Sequence, residues 1–496
     1  MTRAMMVWSV TACGVLAWAG SAAAVTRYVR ADLASGANDG TSWDDAYRGR
    51  DGVTRALAAA VSGDEIWVAA GLYTPVLPVA EGGTGSRTTS LALKNGVGIY
   101  GGFAGTETMR SQRDFAANVT ILSGDINRND AAYPSTAGWA ENSNHLITGG
   151  YPGGTAVNAT AVLDGFTITH GLANGASASA HERGAGISLL SGSSPTLRNL
   201  VIIHNRATFG GGALYLNQSS PRLEDCRLES NNGGSFGGGC DMASNCAPVW
   251  LRCVVIGNIA ARAGGIEAFS NCSPQLLNCL IARNTATGSN GGGALFVNAS
   301  TVTLRNCTVV FNTVTGGGPG PAVSGSTANF NNSIVAFNTG AAQFSVTPGQ
   351  AYSCVPGGRT DAGNIAATPV FLDAAGNDFR LAGGSAGIDQ GNNALLTADM
   401  MVDLLGAARR VDDPLTSDAG AGSAPIVDMG CHEFVPPVDV CAADFNADGT
   451  LDADDLGDYI NCYFGVPACG RADFNGDGED NADDLGDYIN AYFAGC

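Results

Sequence analysis

The feature that most constrains this chain is a repeat. Asparagines recur at Asn205, Asn231, Asn258, Asn284, Asn312 and Asn338, at spacings of 26, 27, 26, 28 and 26 residues. Prolines recur in phase at Pro195, Pro221, Pro248 and Pro274. Glycine pairs recur at Gly211-Gly212, Gly238-Gly239, Gly264-Gly265 and Gly292-Gly293. Before each asparagine the side chains alternate. Leu200 and Ile202, Cys226 and Leu228, Cys253 and Val255, Cys279 and Ile281, and Cys307 and Val309 share one face. Val201, Arg227, Val254, Leu280 and Thr308 share the other. A period near 26 made of short alternating stretches, with no helical periodicity, excludes a helical solenoid. It predicts a coil of β-strands whose turns stack about 4.8 Å apart. One turn cannot bury its own apolar face, so stacking supplies the core.

The repeat residues have physical roles in such a coil. An amide at the same corner of every turn forms an asparagine ladder. Glycine supplies the positive φ of corners. Cys226, Cys253, Cys279 and Cys307 behave as a column of small buried apolar residues. Adjacent turns lie within disulfide reach. The expectation is buried thiols for that column and a disulfide for the second in-phase pair, Cys246–Cys272. Arg198 over Glu224 and Asp225 over Arg252 predict cross-coil ion pairs.

Composition fits many tight turns around a sizeable core: Gly is 70 of 496 residues, charged residues are 14% and hydrophobic residues 45%. The formal net charge is -20, and fourteen acids against one base, Arg471, fall between Val435 and Cys496. Such a block points to cations or solvation and away from nucleic acid. Arg3, the apolar run Met5–Ala19 and Ala22-Ala23-Ala24 read as a signal peptide over residues 1–24. Val10-Thr11-Ala12-Cys13 also resembles a lipoprotein processing site. No later segment has 18 uninterrupted apolar residues, so no transmembrane segment is predicted. The expected location is secreted, extracellular or at the cell surface, where disulfides are permitted.

Val-Ile-Ile-His-Asn205 and Val-Val-Phe-Asn312, with Gly-Gly-Ala-Leu at 211–214 and 292–295, resemble polymorphic outer-membrane-protein repeats of the pectin-lyase-like superfamily. The resemblance covers about residues 160–340. It implies a mainly β fold, a right-handed parallel β-helix. Leu163–Thr169 looks like an earlier coil, and Gly63–Gly71 and Ile99–Phe103 resemble opening coils. Arg50–Val61 reads as a short helix covering the open N-terminal end. The expected layout is an N-terminal cap and first coil over 25–75 and the β-helix over 76–365. Over 366–434, Asp378-Phe379-Arg380-Leu381, Ala386–Gly391 and Asp428–Phe434 resemble the closing segment called a choice-of-anchor domain. That implies a bridge to an anchoring module, or a final coil and cap. Residues 435–440 read as a stiff linker.

Two twelve-residue segments match a calcium loop, which needs ligands at positions 1, 3, 5, 7, 9 and 12 and Gly at 6. The first offers Asp444, Asn446, Asp448, the Thr450 carbonyl, Asp452 and Asp455 around Gly449. The second offers Asp473, Asn475, Asp477, the Glu479 carbonyl, Asn481 and Asp484 around Gly478. The loops start 29 residues apart and each is followed by Leu-Gly-Asp-Tyr-Ile-Asn. Asp at position 12, with a helix after each loop, resembles the dockerin family over residues 441–496. The resemblance implies Ca2+ as cofactor and a cohesin-like or cell-surface partner docked near Ala453-Asp454 and Ala482-Asp483. Position 8 departs from the family pattern in the second loop, Asp480 against Leu451 in the first, which predicts a weaker second site. Cys441–Cys496 and Cys462–Cys469 are the expected closures of this module, with connectivity left open by the sequence.

Fold alone does not decide chemistry. The best candidate constellation is one outward column, Tyr215, Asp241, Glu267 and Phe296, on four successive coils. Stacked carboxylates flanked by aromatics could hold calcium or grip a polysaccharide, and would raise one another's pKa as general-acid chemistry needs. The alternative is a solvated face. Lyase chemistry also wants a base, and the candidates are Arg262 and the single lysine, Lys94. His145, His170, His181, His204 and His432 show no metal-ligand spacing. The leading expectation is a non-enzymatic β-helix held or assembled through its calcium module. The alternative is a carbohydrate-active β-helix, lyase, hydrolase or glycan binder, carried by the same module.

Overall fold

The computed structural model describes residues 24–496 apart from 152–153, 177–179, 290, 318–319, 321, 341–342, 345–348, 359, 361, 437–442, 447–450, 466–471, 475–480 and 495–496. Residues 1–23 of the expected signal peptide, and most of the linker, lie outside the described residues. The chain forms two compact units, Met1–Arg410 with Asp418–Glu433 and Val411–Ser417 with Phe434–Cys496.

The first unit is a parallel β-helix. One turn contributes the strands Cys240–Ala243, Val249–Leu251, Val254–Ile256 and Ile259–Ala260. The next contributes Ile266–Phe269, Gln275–Leu277, Leu280–Ala282 and Thr285–Ala286. The turns stack in register, with Asp241 beside Glu267, Trp250 beside Leu276, Val255 beside Ile281 and Ile259 beside Thr285. Repetition of this pairing builds parallel sheets of eighteen, nine and three strands. Alternation sends Leu228, Val255, Ile281 and Val309 inward into one continuous core that extends from Val29 to Val355. Each such side chain contributes about 1.5–3 kcal/mol on full burial.

The asparagine ladder is present. The Asn205 backbone N–H donates to Asn231 Oδ1 at 2.9 Å, and the same bond runs from Asn231 to Asn258, Asn258 to Asn284, Asn284 to Asn312 and Asn312 to Asn338. The corners depart from expectation. The residues before the ladder asparagines are left-handed, at φ 57° for His204, 53° for Ser230, 53° for Arg283 and 55° for Phe311, and in this column only Gly257 is glycine. That conformation costs a side-chain-bearing residue energy, and the adjacent ladder bonds offset it. Of the paired glycines only Gly211 takes a positive φ, 65°, and the pairs chiefly serve close approach. A Cβ on Gly212 would meet the Gly238 carbonyl oxygen at 2.6 Å.

Cys226, Cys253, Cys279 and Cys307 are free buried thiols, as expected. The expected Cys246–Cys272 disulfide is not formed; both are free. The Cys246 N–H donates to Cys272 Sγ at 3.4 Å. Both lie in the corners between strands, where coils stack about 4.8 Å apart, whereas a disulfide needs its Cβ atoms converging to roughly 3.5–4.5 Å.

Helix α1, Gly52–Ala59, turns Val53, Ala56 and Leu57 onto the first coils and covers that end of the core. The closing segment contains the antiparallel pair Phe371–Asp373 and Asp378–Leu381 and then returns along the flank of the helix. There it meets a second asparagine column. Asn278 donates to the Val402 carbonyl at 2.7 Å, Asn306 to Asp428 at 3.0 Å and Asn332 to Asn392 at 3.0 Å. Among the described residues no helix is long and apolar enough to cross a membrane.

The second unit holds helix α2, Ala453–Phe464, and helix α3, Ala482–Ala494. They are related by a local pseudo-twofold. The Tyr459 and Tyr488 rings stack at 3.8 Å. The Tyr459 hydroxyl donates to the Ala472 carbonyl at 3.1 Å, and the Tyr488 hydroxyl to the Ala443 carbonyl at 2.9 Å.

Candidate functional site

Strand register places Tyr215, Asp241, Glu267 and Phe296 in one column, as the repeat predicts. The column is not a solvated face: Asp241 is 2% and Glu267 1% exposed. The cause is a row of side chains just before it in successive coils, Arg183, Phe209, Phe236 and Arg262, with Phe209 one residue before Gly210, the register partner of Arg183 and Phe236. Arg183 Nη1 lies 2.6 Å from Asp241 Oδ2, and Arg262 pairs with Glu267. The Arg183 guanidinium sits 4.1 Å from the Phe209 ring centre and 5.1 Å from that of Tyr215. Arg262 sits 4.2 Å from Phe236 and 4.6 Å from Phe296. Phe209 and Phe236 meet edge to face at 4.8 Å. Cation–π contact and ion pairing together roof the acids. Gly210 is required here, because a Cβ would lie 2.1 Å from Asp241 Oδ2.

Burial first, and the neighbouring Glu267 charge second, push Asp241 up to about 7. Burial raises Glu267 as well. Glu267 Oε2 and Arg262 Nε are buried without partners among the described residues. Such a cluster can hold a proton near neutrality. Its carboxylates, however, are committed to arginines and sealed from substrate. What it presents outward is the half-buried rings of Phe209, Phe236 and Phe296 and the partly exposed guanidinium groups.

Arg262 is thus brought to the acids as the sequence suggested. Lys94 is not; its Nζ donates to the Ala58 and Ala60 carbonyls at the end of helix α1. Arg183, Phe209 and Phe236 were missed, although their spacings of 26 and 27 residues, continued by 26 to Arg262, carry the repeat. The histidines also gather without any sequence signal. His181 Nδ1 lies 2.7 Å from the Tyr151 hydroxyl and 3.3 Å from His145 Nε2, and burial lowers His145 to about 4. Where the closing segment returns, a groove of about 490 Å³ opens, lined by Arg227, Arg252, Asn377, Asp378, Arg380 and His432.

In the second unit Asp444, Asn446, Asp452, Asp455, Asp473, Asn481 and Asp484 are described, while Asp448, Thr450, Asn475, Asp477 and Glu479 lie outside the described residues. The position-12 acids are the best defined. Asp455 and Asp484 are fully buried. Asp455 accepts from the Asn446 N–H at 3.0 Å and the Asp452 N–H at 2.9 Å. Asp484 accepts from the Phe474 N–H at 2.9 Å and the Asn481 N–H at 2.8 Å. Each acid therefore ties the start of its loop to the residue before the following helix, through the third loop residue in the first half and the second loop residue in the second. The donor set is all oxygen and mostly carboxylate, which fits a hard cation. Leu451, at position 8 of the first loop, packs against the unit's small core.

Residues 139–350 match the family model described as right handed beta helix region. A search of curated proteins returned no match. Among solved structures, the chain resembles the pectate lyase Pel9A with a TM-score of 0.44 at 16% identity, covering 84% of this chain and 98% of that one. At that level of likeness the chemistry of that protein is not transferred to this chain.

Proposed function

We propose that this chain is a secreted or cell-surface β-helix protein of non-enzymatic function, held or assembled through a calcium-dependent, dockerin-like C-terminal module. The observation that carries this reading is the position-12 acid of each loop: Asp455 and Asp484 are both fully buried, and each accepts backbone N–H bonds from the start of its acidic loop and from the residue before the following helix. Asp444, Asp448, Asp452 and Asp455 would hold one ion and Asp473, Asp477 and Asp484 the other. The ion would supply rigidity to loops whose acids otherwise repel. The pseudo-twofold, with Tyr459 on Tyr488, supports two equivalent docking faces on helices α2 and α3. Cys462 is disulfide-bonded, which supports the expected Cys462–Cys469 closure. The sealing of Asp241 and Glu267 favours a structural role for that pair over general-acid catalysis.

Retention of the full-length protein on cell envelopes tests the reading. Wild type is expected to be released by a chelator and re-bound with calcium, and Asp455→Ala/Asp484→Ala to fail to bind in either condition. Retention indifferent to both would sink it.

A second reading, glycan binding, is favoured by the half-buried rings of Phe209, Phe236 and Phe296 beside the partly exposed Arg183 and Arg262. Binding of wild type to a panel of acidic and neutral polysaccharides, lost in Phe236→Ala, supports it. No binding to any of them removes it.

A further inference from the structure

A separate group of acids lies between the strands Thr120–Ser123 and Ile147–Gly149. Asp125, Asp130 and Glu141 bring carboxylate oxygens within 4.8 Å of one another. Asp125 accepts from the Asn129 N–H at 3.1 Å and the Asp130 N–H at 3.2 Å, which shapes the loop without neutralising charge. Arg128 lies within the excursion and is exposed, and the two arginines that reach it from other segments are engaged elsewhere. Arg50 donates to the Ile126 carbonyl and gives its other nitrogen to Glu81. Arg87 donates to the Asn142 carbonyl, the Leu172 carbonyl and Asn174. Burial first, and the charges of Asp125 and Glu141 after it, push Asp130 up to about 6. Burial first, and then Asp125, raise Glu141.

An independent observation points the same way. Asn142 is completely buried. Its Nδ2 donates to Asp130 Oδ2 at 2.7 Å and to the His170 carbonyl at 2.8 Å. The oxygen of that same amide, Oδ1, has no partner among the described residues, and neither has Asp130 Oδ1. Buried acceptors are rarely left unpaired. Here two of them belong to groups in direct contact with each other, beside two further carboxylates.

We propose that Asp125, Asp130, Glu141 and the Asn142 side-chain oxygen form a calcium site. Three carboxylates and an amide oxygen, with no nitrogen or sulfur donor, select a hard divalent cation over zinc or copper. The ion would tie the start of the excursion at Asp125 to its end at Asn142, and Asn142 passes that link to the next coil through the His170 carbonyl. The site is independent of the C-terminal loops and stabilises the β-helix itself.

Equilibrium dialysis of the full-length protein with radioactive calcium tests it. Asp130→Asn/Glu141→Gln is expected to bind about one ion per chain fewer than wild type; equal stoichiometry overturns the proposal. A measurement on wild type alone avoids any folding defect of the variant. Crystals soaked in a lanthanide should give an anomalous peak among Asp125, Asp130 and Glu141, and the absence of a peak there overturns the site. The same peak is expected in Asp455→Ala/Asp484→Ala, which separates this site from the C-terminal loops.

Discussion

Arg409 and Glu433 form an ion pair at 3.0 Å in which neither side chain retains any exposed surface. Arg409 also donates to Asn278 and to the Gly430 carbonyl, both at 2.8 Å. Glu433 accepts the Arg410 N–H at 2.6 Å and the Asp428 N–H at 3.2 Å. The pair fixes the returning segment against the flank of the β-helix at Asn278. Removing one partner leaves a buried charge unmatched, which costs about 3–5 kcal/mol. Glu433→Ala is therefore expected to release this segment, read as fast amide exchange over residues 400–430. Arg409→Met/Glu433→Leu is expected to be closer to wild type than either single change, because it leaves no orphaned charge.

The ladder asparagines differ in consequence by position. Asn258 takes two bonds from Asn231 and makes two to the Leu228 and Ile256 carbonyls, all in the buried interior. Asn258→Ala orphans these groups at about 1–3 kcal/mol each for those left unsatisfied. The denaturation midpoint of the β-helix should fall clearly. Asn338→Ala, at the end of the ladder and 6% exposed, should lower it less. Equal losses at the two positions would contradict cooperative stacking.

Much of this architecture was legible in the sequence, for a physical reason. A β-helix repeats its hydrogen bonding every turn, so the Asn205 to Asn338 spacing reports register directly, and Asp241 beside Glu267 followed from it. Burial of that pair did not follow. Outward alternation predicts solvent, and only the roof of Arg183, Phe209, Phe236 and Arg262 reverses the inference. That roof carries the same period but a different column, one that was not read against the acids. The Cys246–Cys272 bridge failed because spacing fixes separation and leaves the direction of Cβ out. The return of the closing segment onto Asn278, Asn306 and Asn332 has no periodic signature at all.

Asp241 gives the β-helix a pH dependence of defined sign. Burial and the neighbouring Glu267 charge push its carboxyl from the ordinary aspartate value of 3.8 up to about 7 in the folded state, so the native state binds the proton more tightly than the unfolded chain. Its contribution therefore favours the folded state at low pH and declines as pH rises from about 4 through 7. Asp241→Asn keeps a hydrogen-bonding partner for Arg183 and cannot titrate. The variant should flatten the fall in thermal midpoint between about pH 4 and about pH 7, the window set by the ordinary and the raised pKa values. An unchanged slope would assign that dependence to other groups.

The acidic loops before helices α2 and α3 are proposed to hold calcium. Calorimetry of the full-length chain, with calcium and then with excess chelator, tests it most directly. A small transition from the C-terminal unit is expected, rising with calcium concentration as a bound ligand requires. Chelator should abolish it, and it should be missing from Asp455→Ala/Asp484→Ala in either buffer. Superimposable scans of wild type and that variant in calcium would show that the loops hold no calcium.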